Sequence, residues 1–165
     1  VVQWLTGADE HAKVTTVTEP IDEMGPIDYI VVEFPGNHMT GEAFPLLVDL
    51  VDRGIVRILD LMFIRKDLDG SVTALKITDL TGDGQLDLTV FDGVHSGILG
   101  QDELEEAATA VEPGNSAGLL VYENRWAAPF ATALRRSGAQ LVASGRLHIQ
   151  AVLAALEAAE AAETT

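Results

Sequence analysis

The sequence contains no cysteine. Disulfides, Cys-ligated zinc, iron–sulfur clusters and thiol nucleophiles are therefore excluded. Positive charge is scarce as well. Ten Lys and Arg stand against 26 Asp and Glu, a formal net charge of −16. A chain this acidic repels phosphate backbones and anionic lipid heads, so no binding to DNA, RNA or a bare membrane is expected. No apolar run approaches the roughly 18 to 20 residues of a membrane span. Residues 1–23 also lack the basic n-region, apolar h-region and small-residue cleavage site of a secretory signal, and the expected location is cytoplasmic.

What is present is a globular balance. Apolar residues make up 47% of the 165 and charged residues 22%, enough for one domain with a real core. The first 23 residues differ from the rest. They hold scattered apolar residues and the β-branched stretch Val14-Thr-Thr-Val-Thr, which reads as an edge strand or an arm laid on a neighbour. Dense apolar patterning starts at Met24.

From there the pattern predicts a strand over 27–34, broken by Pro35-Gly36-Asn37, and a helix over 41–53 stopped by Gly54. Residues 55–65 are apolar on both faces, as in a central strand. Asp69-Gly70 marks a tight turn into a strand over 71–78. A short strand follows over 86–91. An acidic helix is predicted over 102–111, then a strand over 117–123, a helix over 126–136, a strand over 139–144 and an alanine-rich helix over 148–162. Ile149, Val152, Leu153 and Leu156 give that last helix a narrow apolar stripe.

The main order, β-α-β-β-α-β, predicts an α/β (α+β sandwich) fold with a ferredoxin-like split β-α-β core. A helix-strand-helix is added at the C-terminal side. The hairpin through Asp69-Gly70 argues against a doubly wound parallel sheet. The expected divisions are an arm over 1–23, the α/β domain over 24–147 and the terminal helix over 148–165.

Three places carry candidate chemistry. Asp79, Thr81, Asp83, Gly84 and Asp87 fit the oxygen and glycine offsets of a calcium loop. Position 12 is Val90 rather than Glu, and the flanks read as strands, so a turn with local aspartate–backbone bonds is the plainer expectation. Asp60 stands inside an apolar strand and Glu33 in a similar setting. Buried carboxylates need partners, and Arg57, Arg65 or Lys76 are the candidates. The third place is Tyr122-Glu123-Asn124-Arg125-Trp126, where a strand runs into a helix. Such strand ends are ligand sites in open α/β sheets. The competing expectation is an Asn124 N-cap, a Glu123–Arg125 ion pair and Trp126 as a core or interface anchor.

Other motifs are weaker. The four histidines, His11, His38, His95 and His148, share no i,i+4 metal spacing. Gly93 to Gly100 lacks the strand–turn–helix context of a nucleophile elbow and the lysine of a phosphate loop. Asp102, Glu103, Glu105 and Glu106 suit the N-terminal end of a helix and are expected on a solvated face. No catalytic set stands out.

The stretches GPIDYIVVEFPGN, PLLVDLVDRGIVRILDLMFIRKDLDGSV, GLLVYENRWAAPF and LRRSGAQLVASGRL resemble an actinobacterial family known as a domain of unknown function. The resemblance runs from Met24 to about Leu156. Members are labelled membrane or stress-related. The resemblance implies no agreed activity and supplies no catalytic residues. The use of three lysines against seven arginines, with many alanines, fits a GC-rich source.

These observations favour a non-enzymatic, acidic protein that assembles with copies of itself into a homo-oligomer, through the arm and the terminal helix. The alternative is a regulatory domain that binds a small molecule at Glu123–Trp126 or calcium at Asp79–Asp87. An enzyme with Asp60 as acid or base is the third reading.

Overall fold

The computed structural model describes residues 21–75 and 97–163. They fall into two compact units, one running to Ala133 and one beginning at Leu134. In the first unit, β1 (Ile27–Phe34) is followed by α1 (Ala43–Asp52), β2 (Arg57–Lys66) and β3 (Val72–Leu75). Then come α2 (Gln101–Ala110), β4 (Ser116–Glu123) and a 3-10 turn, Arg125–Ala127, that leads into α3 (Ala128–Arg136). The second unit carries α4 (Ile149–Glu163).

Local chemistry sets several boundaries. Pro45 is the third residue of α1, where an N–H has no intrahelical acceptor, so its missing donor costs little. Gly54 ends the helix at φ +66, a conformation other side chains resist, and its N–H reaches Val51 O at 2.9 Å. Asp69 closes the β2–β3 turn by accepting from the Ser71 N–H and hydroxyl at 2.9 and 2.6 Å.

The protein is α+β, and its described residues form a four-stranded antiparallel sheet in the order β1-β4-β2-β3. β1 and β2 are parallel, joined through α1, and β4 lies between them. A ferredoxin-like split β-α-β core would set the third strand, not the fourth, between the first two. β4 takes that place and is in register with both neighbours along the same eight residues, Ser116 to Glu123.

One irregularity interrupts the β2–β4 ladder. Ile58 faces Tyr122, but Asp60 faces Val121, so Leu59 is an extra residue in β2, a β-bulge. Such a bulge bends and twists its strand locally.

The sheet buries apolar side chains on both faces. On one face Ile58, Leu61, Phe63 and Leu120 are covered by Phe44, Leu47, Val48 and Val51 of α1 and its neighbours. On the other, Ile64, Ala117 and Leu119 pack against Ala107, Ala108 and Val111 at α2. The alternation of Phe63 and Ile64 along β2 shows that α1 and α2 lie on opposite faces. Lys66 fastens the end of α2, donating from Nζ to Ala108 O and Val111 O, both at 2.9 Å. A cation at a helix C-terminus also suits the helix dipole.

The strand expected over 139–144 does not form. Residues 139–148 have no regular structure, and Val142 is 95% exposed. The segment has strand chemistry, yet no strand among the described residues pairs with it. In α4, the stripe of Ile149, Val152, Leu153 and Leu156 is exposed. No helix among the described residues is long and apolar enough to cross a membrane.

Candidate functional site

The end of the sheet where β1 and β2 begin holds a buried ion pair. Arg57 and Glu123 are register partners on adjacent strands, 4% and 1% exposed. Arg57 Nη2 lies 2.6 Å from Glu123 Oε2, as a charge contact rather than an aligned hydrogen bond. The other carboxylate oxygen, Oε1, accepts from the Gly25 N–H at 2.7 Å. Only glycine fits there, because a Cβ on residue 25 collides with the Asn124 carbonyl. Glu123 is thus committed to structure, and its partner is Arg57 rather than the sequence neighbour Arg125.

The rest of the Glu123–Trp126 cluster lies at the surface. Asn124 donates from Nδ2 to Asp28 Oδ2 at 2.9 Å and accepts from Trp126 Nε1 at 3.2 Å. It makes no side-chain cap to the following turn, which corrects the N-cap expectation. The side chain is drawn to Asp28 instead. Trp126 is 70% exposed and is no core anchor in this chain. Arg125 is exposed.

Asp60 is fully buried, and its Oδ2 accepts from the Leu99 N–H at 3.1 Å. This bond ties the segment before α2 to β2. Glu33 lies at the opposite end of β1, where Oε1 accepts from the Glu112 N–H at 2.7 Å and Asn115 Nδ2 at 2.9 Å. Asp60 and Glu33 therefore form no acid pair. The Asn115 and Glu112 hydrogen bonds hold the Glu33 carboxyl below its ordinary value of 4.5.

A pH dependence follows from that bond. The folded value is depressed, so the contribution to stability is complete above the ordinary carboxylate pKa. It is lost as pH falls through the folded value. Glu33→Gln is expected to flatten the acid limb of a melting-temperature profile by lowering the neutral plateau toward the acid-side value. An acid limb identical to that of the parent removes Glu33 from the account.

Asp79, Thr81, Asp83 and Asp87 lie outside the described residues. Among the described residues no group of three or more His, Asp or Glu could hold a metal ion.

The structure also brings together residues that sequence reasoning left out. A cleft of about 400 Å³ lies between β1 and α2. Tyr29 and Val31 form one wall, Ala107 and Ala110 the other, and Leu119 and Val121 the floor. The cleft exists because α2 covers β2 and β4 but stops short of the edge strand. Tyr29 is left 72% exposed. The available signal was the alternation of Ile27, Tyr29 and Val31, which places three apolar residues on one face.

Fold and site together define an α+β domain with β1 at the sheet edge among the described residues, an apolar cleft beside it and a buried ion pair at one end. The chain belongs to a family of unknown function (DUF6325), whose model matches residues 23–164. The resemblance read in its strands and helices is borne out. No curated protein and no solved structure matches it.

Proposed function

We propose that this chain is a non-enzymatic domain that assembles with copies of itself, and that β1 is the joining edge. Its two interlocked split β-α-β units are what this reading keeps of a ferredoxin-like core: β1 and β2 flank β4, and β3 and β4 flank β2.

The observation that carries the proposal is β1 itself. It is eight residues long, stands at the edge of the sheet, and exposes Ile27, Tyr29, Val31 and Val32. Its outer side has no partner strand among the described residues. Proteins commonly blunt such an edge with proline, a bulge or a central charge. The centre of β1, Tyr29-Ile-Val-Val32, has none of these.

The edge is also self-complementary. Two copies related by a two-fold axis through Ile30 place Tyr29 opposite Val31 and Asp28 opposite Val32. Ile27 then faces Glu33, and no like charges stand opposite one another. Faces are preserved, because paired residues keep the same parity along the strand.

Native mass spectrometry tests this, with multiples of 17.6 kDa expected. The register adds a charge signature. Val32→Glu sets a carboxylate against Asp28 of the copy and is expected to shift the protein to monomer. Val32→Lys sets an ammonium there and is expected to keep the assembly. A monomeric parent, or equal behaviour of the two variants, sinks the proposal.

A further inference from the structure

We infer that the cleft between β1 and α2 binds a small amphipathic cation, with an apolar alkyl or aryl body and one protonated amine. This goes beyond the assembly reading and does not depend on it.

The volume is of the right order. Small-molecule sites run from about 300 to 1,000 Å³, and this cleft has about 400 Å³. Its floor and walls offer an alkyl or aryl body the apolar surface of Leu119, Val121, Val31 and Ala107.

The charges select the sign of the ligand. The charged residues lining the cleft are Asp28, Glu103 and Glu106, and no Lys, Arg or His among the described residues joins them. The Asp28 carboxylate is drawn to Asn124 on the β1 side, and Glu103 and Glu106 supply the charge on the α2 side. They stand three apart on α2, adjacent on one helix face. Like charges at that spacing repel, and a bound ammonium relieves the repulsion. Glu103 uses one oxygen, Oε2, to accept from the Gly100 N–H at 3.0 Å, which holds its carboxylate at the start of α2. Tyr29 lines the same cleft and is largely exposed, so an aromatic ring is within the wall available to the cation. An anion meets two carboxylates and a chain of net charge −16.

Three probes with one body and different heads provide the test: octylamine, octanol and octanoate. Each is titrated into the full chain and followed by backbone amide NMR. Octylamine is expected to saturate, with shifts at Tyr29, Ala107 and Leu119. Octanol is expected to bind roughly three- to tenfold more weakly and octanoate not at all.

Glu103→Gln with Glu106→Gln is expected to bring octylamine down to the affinity of octanol and to leave octanol unchanged. Glutamine keeps the bond to Gly100, so the helix start is preserved. Ala110 lines the cleft from an exposed position, so Ala110→Trp blocks both probes with the melting temperature retained.

The inference fails if octylamine does not saturate, if octanoate binds as well as octylamine, or if Ala110→Trp leaves octylamine binding intact. It also fails if Ala110→Trp changes the mass of the assembly while octylamine shifts nothing. The cleft is then a contact between copies.

Discussion

Arg57→Ala is expected to lower the unfolding free energy by about 3 to 5 kcal/mol, the usual loss when one member of a buried ion pair is removed. The loss arises on the side that remains. Glu123 is 1% exposed and keeps the bond from the Gly25 N–H. Its charge has left water without the cation that offset the desolvation. Glu123→Ala is expected to cost a similar amount, by leaving a guanidinium buried.

Replacing both residues at once is a different experiment. Arg57→Met with Glu123→Leu removes both charges and fills the space with apolar atoms. It is expected to lie within about 1 to 2 kcal/mol of the parent, because an apolar pair of similar volume is often no worse than a buried ion pair. Urea unfolding checks both results, with the midpoint moving and the slope constant. Single variants within 1 kcal/mol of the parent show that the pair is solvated in solution.

Phe63→Ala is the second large effect, about 3 to 5 kcal/mol. Phe63 is nearly fully buried in the core beneath α1, where its ring lies 6.1 Å from that of Phe44. It also covers Gly118, its register partner on β4. A Cβ built on Gly118 lies 3.1 Å from the Phe63 ring and 3.6 Å from that of Phe34. The glycine makes room for the aromatic side chains, and they shield its backbone, a pairing that offsets the weakness of glycine in a strand. Gly118→Val is accordingly expected to destabilise by about 1 to 3 kcal/mol through overpacking. With Phe63→Leu in the same chain, part of that loss is expected to return, because the ring no longer occupies the space. A double-mutant cycle with no coupling between positions 63 and 118 refutes this account.

The parts of this fold that depend on neighbours in the chain were legible in the sequence. Residues 27–34 are a strand as expected, and α1 starts close enough to Glu42 for Pro45 to be tolerated. Asp69-Gly70 turns the chain between β2 and β3, as its chemistry requires.

Long-range choices were not legible. The stretch AQLVAS and β4 share β-branched, apolar chemistry, and nothing local tells which one finds a partner. Glu123 offered the same difficulty. The nearest cation in sequence is Arg125, but the sheet register delivers Arg57. The cleft was hidden for a related reason. Ile27, Tyr29 and Val31 read as a core face, and only the strand order shows that they lie at the edge beyond α2.

The bulge at Leu59 has a consequence for the whole molecule. Alternation along β2 is a signal of period two, and one added residue shifts its phase by half a cycle. Counting back from Leu61 without that shift, Arg57 falls on the face toward α1, away from Glu123. With it, Arg57 shares a face with Glu123 and Asp60. Because the bulge absorbs Leu59 without giving it a ladder partner, one strand serves two masters: apolar side chains set against α1 and α2, and a cation held in phase with Glu123 at the far end of the sheet. Deleting Leu59 would leave Arg57 in register with Glu123, whereas straightening the bulge with Leu59 kept would turn that positive charge to the other side of the sheet.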